Sequence, residues 1–108
     1  MIISTFNETI CAPATSSGTG AVSIVRVSGP DALAIADKVI TLQKGTVIDA
    51  PGYSVHYGCI YDGSEEIDQV LVTVFRSPLS YTGEDSVEIS CHASSYIVQR
   101  IMFLLIEA

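Results

Sequence analysis

Apolar residues recur along this chain with two periods, one typical of strands and one typical of helices. Residues 86–92 alternate strictly between apolar and polar side chains, as in a strand with one buried face. Residues 32–42 carry apolar side chains at helical spacing, and they follow Pro30 and Asp31, which suit a helix N-terminus. The pattern therefore predicts both kinds of element in one small protein.

The remaining segments extend this pattern. The β-branched run at 21–27 predicts a strand that is buried on both faces. An Asp-Gly pair at 62–63, between two β-rich runs, predicts a hairpin. Together these elements predict an α+β fold with a mixed β-sheet and helices packed on one face. The predicted strands are 9–15, 21–27, 53–61, 67–76 and 86–92, the predicted helices are 32–42 and 94–107, and the predicted loops are 16–20, 43–52, 62–66 and 77–85.

The length of 108 residues suits one domain. The last predicted helix is apolar all round at 101–106, and such a helix requires burial on all sides. No later element is present to cover it. We therefore expect the chain to be the N-terminal part of a longer protein, or a domain that buries this helix against a partner.

Charge and cysteine usage exclude several classes of function. Twelve acidic residues against five Lys and Arg give a net charge of -7, so we expect no direct nucleic-acid binding by this segment. Cys11, Cys59 and Cys91 form no CxxC pair, which argues against a disulfide framework or structural zinc and favours buried thiols in a reducing cytoplasm. No signal peptide is visible, and the run at 101–106 is too short to span a membrane.

Common catalytic motifs are absent from the sequence. The glycine-rich loop has Ser23 where a dinucleotide fingerprint has its third glycine, and no Walker pattern occurs. Cys91 and His92 are neighbours on a predicted strand, so they should point to opposite faces and cannot form a nucleophile–base pair. Glu84 and Asp85 could bind a metal, but the favoured interpretation is that they belong to a solvated loop. We therefore predict no catalytic residue and no metal ligand.

Two charged residues stand out by their positions. Arg26 lies near the end of an apolar strand, where its guanidinium must reach solvent, pair with an acidic neighbour, or clamp a planar ligand. Glu88 lies in the middle of the polar face of the strand at 86–92. If that face is solvated Glu88 needs no explanation, whereas a covered face would require donors that a ligand could supply.

Two segments carry a distinctive pattern of residues. The first reads TICAPAT at 9–15 and GTGAVSIVRVSGP at 18–30, and the second reads SYTGEDSVEISCH at 80–92. In residues, order and separation they resemble the N-terminal signatures of the MnmE/TrmE family of tRNA modification GTPases. The resemblance covers nearly all of this chain but only the first part of the family's full length.

The resemblance implies that residues 1–108 form a domain similar to the folate-binding domains of aminomethyltransferases. Such a domain dimerises and binds 5-formyltetrahydrofolate as a one-carbon carrier near the dimer interface. The family's arginine in IxRxSG and its last glutamate in TGEDxxE contact the folate, and these positions are Arg26 and Glu88 here. A carboxylate can accept from the amino and ring N–H groups of the pterin, and an arginine can donate to its acceptors.

The resemblance also implies a role for the longer protein. Family members modify the wobble uridine of certain tRNAs at carbon 5, together with the flavin-dependent partner MnmG/GidA. The GTPase domain, with its GTP, magnesium and potassium sites, lies beyond the matched region, and tRNA contacts are expected in other domains. By itself this chain is not expected to be catalytic, although the whole protein would be a GTP hydrolase.

One departure from the family pattern leaves alternatives open. The family usually continues its second motif as His-Gly-Gly, whereas this chain has Ala93 and Ser94 after His92. A side chain there puts the turn geometry or the pocket edge in question. A structural dimerisation module without ligand binding is therefore one alternative, and a free-standing folate-dependent one-carbon transferase is another.

Overall fold

The computed structural model describes residues 9–14, 21–77 and 83–108. Their elements form an α+β fold, as predicted, in which two helices accompany a six-stranded sheet of order β1-β2-β6-β5-β4-β3. Every pairing in this sheet is antiparallel, so the prediction of a mixed sheet was wrong; no described crossover joins two neighbouring parallel strands. The elements are β1 (Ile10–Pro13), β2 (Val22–Ser28), α1 (Ala32–Val39), β3 (Ile40–Leu42), β4 (Ser54–Asp62), β5 (Glu65–Phe75), β6 (Ser86–His92) and α2 (Ser95–Glu107).

One face of the sheet is buried and the other is open. Both helices contact β2 and β6 and also each other, so they cover the same side. The predicted alternation of β6 is confirmed, because its apolar positions are buried while Glu88 and Ser90 are only half-buried. The apolar side chains that are buried in strands β2, β5 and β6 are Val25, Val27, Val70, Val72, Val74, Val87, Ile89 and Cys91.

The prediction that β2 is buried on both faces was wrong. Val25 and Val27 are at most 1% exposed, but Val22 is 57% exposed and Ile24 and Arg26 are half-buried. The β-branched run favours a strand, yet it cannot reveal that helices cover only one side of the sheet. The open side of β2 thus carries apolar and charged residues next to each other.

The predicted helix at 32–42 was too long. Helix α1 ends at Val39, and Ile40–Leu42 forms the edge strand β3, with Ile40 and Leu42 buried and Thr41 exposed. Strand β3 pairs with β4, where Gly58 lies opposite Leu42. A Cβ at Gly58 would lie 2.8 Å from the Thr41 carbonyl oxygen, so the glycine permits this close pairing.

The other bounds differ less from the predictions. Strand β1 is shorter than predicted, and the loop predicted at 16–20 lies outside the described residues. The hairpin predicted at 62–66 is a tighter turn at Gly63 and Ser64, with a bulge between Ile60 and Tyr61. The last helix is confirmed, but Phe103 is 63% exposed, so its burial is one-sided here.

We expect Gly58→Ala to destabilise the domain by about 1–3 kcal/mol, because the new methyl group overlaps the β3 backbone and must displace it. Urea denaturation measures this change. Ser64→Ala, in the exposed hairpin turn, is the control and should stay within about 0.5 kcal/mol. Equal stability of Gly58→Ala and the wild type would show that β3 does not depend on the close approach.

Candidate functional site

Arg26 and Glu88 meet in the middle of the open face. They are direct cross-strand partners in the β2–β6 register, although 62 residues separate them in sequence. The Arg26 Nε donates to Glu88 Oε2 at 2.9 Å, and the Nη2 lies 2.8 Å from the same oxygen. Their side chains are 32% and 21% exposed. Of the interpretations left open for Arg26, an acidic partner is therefore present, and that partner is the second candidate residue.

The neighbours of this ion pair are small polar and apolar side chains. Thr73 lies opposite Glu88 on β5, while Ile24 and Ser90 pair beside the two charged residues. Leu71, opposite Ser90, is 49% exposed. A charge pair in such surroundings is shielded from water on its flanks, so its hydrogen bonds are stronger than those of a fully exposed pair.

A short polar segment borders the ion pair on one side. Ser28 and Ser86 lie next along their strands, and both are buried. The Ser28 hydroxyl donates to Glu84 Oε1 at 3.4 Å, and the Gly29 N–H donates to the Asp85 carbonyl oxygen at 3.0 Å. The acidic pair, predicted to be solvated, is thus half-buried and anchored to the end of β2.

A second acid–base pair lies at the far end of β6 and was missed by the sequence analysis. Asp68 is 7% exposed, and its carboxylate accepts from the His92 N–H at 2.8 Å and lies 2.7 Å from the ring Nδ1. The sequence gives little signal for it, because Asp68 lies among the polar residues Glu65, Glu66 and Gln69 at the start of β5. His92 is four residues from Glu88, which is about 13 Å along a strand, so this pair is separate from the first.

The turn after β6 accommodates its unusual residues. Neither Ala93 nor Ser94 is among the described residues with positive φ, so the backbone here does not require glycine. Ser94 instead caps α2, because its hydroxyl accepts from the Ile97 N–H at 3.2 Å. The departure from the family pattern therefore leaves the helix start intact.

The three cysteines are free, as expected, but Cys59 is only half-buried. Burial raises the pKa of the Cys11 thiol. Burial and then the nearby negative charge of Asp68 raise the pKa of Cys91 to about 11. The Cys91 thiol points toward the Ser23 carbonyl oxygen, 3.5 Å away, while His92 contacts Asp68. Cys91 is buried and His92 is exposed, so the two side chains lie on opposite faces of β6, as predicted.

A separate apolar cleft lies between β1 and the helices. Its lining includes Ile10, Cys11, Val27, Ile35 and Leu105, on the helix side of the sheet. Within residues 9–14, 21–77 and 83–108, no three metal-ligating side chains cluster, and no helix is long and apolar enough to cross a membrane. The ion pair therefore remains the candidate site that the sequence and the geometry share.

Comparison with known proteins gives a consistent result. A model of the family described as "GTP-binding protein TrmE N-terminus" matches residues 9–108. The chain is 51% identical over 102 residues to the tRNA modification GTPase MnmE of Bacteroides fragilis, which covers 93% of this chain and 22% of that protein. It is 52% identical over 101 residues to the tRNA modification GTPase MnmE of Christiangramia forsetii, and this match covers 93% of this chain and 21% of that protein. The chain thus spans about a fifth of the length of these relatives.

We expect the raised pKa of Cys91 to make stability fall at alkaline pH. A folded-state pKa above the ordinary value of 9.0 contributes stability that is complete below pH 9 and is lost as the pH rises towards 11. The free energy of unfolding, measured by urea titration between pH 8 and 11, should fall less steeply in Cys91→Ala than in the wild type. Cys59→Ala is the matched control, and equal slopes for the wild type and Cys91→Ala would contradict the assignment.

Proposed function

Since this chain belongs to the TrmE N-terminal family, we propose that it is the folate-binding and dimerisation domain of a tRNA modification GTPase. Its ligand in this proposal is 5-formyltetrahydrofolate, held by Arg26 and Glu88. The observation that carries the proposal is the contact between these two residues, which the sequence analysis selected separately. They occupy adjacent strands of the open sheet face, where a ligand can reach both.

The chemistry of the ion pair suits a reduced pterin. The 2-amino group and the ring N–H of a pterin form a donor pair, which one carboxylate can accept. The two contacts between Arg26 and Glu88 both use the Oε2 atom of the carboxylate. The Oε1 atom can therefore accept from a ligand while Arg26 keeps the carboxylate oriented. The guanidinium is itself a donor for carbonyl oxygens of the ligand.

Dimerisation is supported by the composition of the open face. Val55, Tyr57 and Leu71 are all more than 40% exposed and project from the adjacent strands β4 and β5, and Val22 on β2 is 57% exposed. Contiguous exposed apolar side chains of this kind mark interaction surfaces. A second copy of the chain is the occupant that we propose, as part of the same family function.

The wider activity belongs to the proposed whole protein. In it, GTP hydrolysis with magnesium and potassium takes place in a further domain, and the wobble uridine of tRNA is modified at carbon 5 together with MnmG/GidA. The acidic balance of this chain supports placing the tRNA contacts elsewhere. Its three free thiols fit a reducing cytoplasm.

A structural dimerisation module is the second candidate function. One observation favours it, because the Arg26–Glu88 ion pair also ties β2 to β6 and so has a structural role of its own. Such a module would dimerise through the same face and would not respond to folate. The free-standing one-carbon transferase gains no comparable support from the described residues.

We expect 5-formyltetrahydrofolate to bind this chain saturably, and we expect Arg26→Ala or Glu88→Gln to weaken binding about tenfold or more. Loss of one charge-assisted hydrogen bond, worth about 1.5–3 kcal/mol, accounts for that change. Isothermal titration calorimetry measures the affinity, and light scattering in the same buffer measures the oligomeric state.

The matched controls come from the ion pairs that Arg100 forms. Arg100 binds Asp62 and Glu65 away from the site, so Arg100→Ala and Glu65→Gln should keep the wild-type affinity. If Arg26→Ala binds 5-formyltetrahydrofolate with the wild-type affinity, the assignment of Arg26 to the binding site is wrong. A folded wild-type dimer that does not bind folate would reject the ligand and leave the structural module.

A further inference from the structure

Tyr53 has an unusual backbone conformation. Its φ is 57°, and it is the one non-glycine residue with positive φ in the described part of the chain. Bulky side chains rarely occupy this left-handed region, because the Cβ crowds the following carbonyl group. Such strain persists only where the surrounding structure holds it, and it tends to occur at functional sites.

The contacts of Tyr53 fix its position without burying it. Its N–H donates to the Val74 carbonyl oxygen at 2.7 Å, which extends the β4–β5 pairing by one residue. Its ring meets Phe75 edge to face, with the centroids 5.7 Å apart and the planes at 84°. Even so, Tyr53 is 65% exposed. Burial therefore does not explain why an aromatic residue occupies the strained position.

The aromatic pair lies on the same sheet face as the ion pair. Phe75 is the register partner of Ser86, and Glu88 follows two residues later on the same face of β6. Diagonal neighbours of this kind are about 7–8 Å apart, which is within reach of an aromatic side chain. Tyr53 contacts Phe75 from the β4 side, so both rings lie on the side of Glu88 that faces β5 and β4.

We propose that Tyr53, supported by Phe75, stacks on the planar ring of the ligand that Arg26 and Glu88 hold. The ligand class is a fused heteroaromatic ring with adjacent N–H donors, such as the pyrimidine half of a reduced pterin. In this arrangement Glu88 accepts hydrogen bonds from the edge of the ring, and the Tyr53 side chain stacks on its face. The inference rests on the proposed folate site. In it, Tyr53 makes the site selective for ligands with a planar ring over non-planar ligands that carry the same N–H donors.

The conformational strain supports this role of Tyr53. A glycine at the same position would adopt a φ of 57° without crowding, but it would remove the ring. The presence of an exposed tyrosine in a strained conformation is explained if its ring contacts a bound molecule. A rigid ring that is already in place also loses little freedom when the ligand binds.

Tyr53→Leu and Tyr53→Gly test the proposal, with Tyr53→Phe as the conservative variant. Calorimetric titration of 5-formyltetrahydrofolate should give affinities at least about fivefold weaker for the first two variants and near the wild type for Tyr53→Phe. In NMR spectra, ring-current shifts of the ligand protons should be present with Tyr53→Phe and absent with Tyr53→Leu. Tyr96→Leu is the matched control, because Tyr96 is 62% exposed on α2.

Each result is decisive for one claim. Weaker binding without ring-current shifts in Tyr53→Leu, and rescue by Tyr53→Phe, support the stacking role. Folate binding that Arg26→Ala weakens and that Tyr53→Leu leaves unchanged overturns the stacking role alone. If Tyr53→Leu lowers the melting temperature of the protein but leaves the affinity for 5-formyltetrahydrofolate unchanged, the role of Tyr53 is structural only. Absence of folate binding in the folded wild type overturns the proposed function, and the stacking role with it.

Discussion

The register between β2 and β6 is the constraint on which the rest of the structure depends. Val25 pairs with Ile89 and Val27 pairs with Val87 on the helix side, and all four are buried. A slip of one residue would turn these side chains toward solvent and would place charged residues in the core. The same register sets Arg26 opposite Glu88 on the open side. Core packing and the candidate site are therefore specified together.

The two faces of the sheet differ in composition and role because the helices cover only one of them. On the helix side, the burial of valine, isoleucine and leucine side chains provides the main driving force for folding. On the open side, the ion pair, the Tyr53–Phe75 pair and several exposed apolar residues lie together. Such a surface has both apolar contact area and directional hydrogen-bonding groups, as ligand sites commonly do.

Local patterns in the sequence predicted much of the fold. The alternation of apolar and polar residues at 86–92 predicted the bounds of β6, because one face of that strand is buried and the other is not. The edge strand β3 could not be predicted in this way, because Ile40 and Leu42 also fit the helical spacing that precedes them. Their pairing as a strand is made with β4, where Gly58, distant in sequence, leaves room for the β3 backbone. Nonlocal contacts of this kind have no local signal.

The candidate site was predictable in part for a similar reason. Arg26 and Glu88 were selected from their motifs and positions, whereas their contact depends on a strand pairing that joins distant segments. The Asp68–His92 pair was missed because each residue has an ordinary local context. Tyr53 was missed because backbone strain depends on the turn that precedes β4. Residue type can indicate chemistry, but the fold determines which groups meet.

The most direct test of the central claim is an NMR titration of the isotopically labelled chain with 5-formyltetrahydrofolate. The account predicts saturable shifts of the Arg26 Nε–H signal and of backbone signals in β2 and β6 around Arg26 and Glu88. Shifts confined to the apolar cleft around Ile35 and Leu105, or no saturable shifts at all, would contradict it.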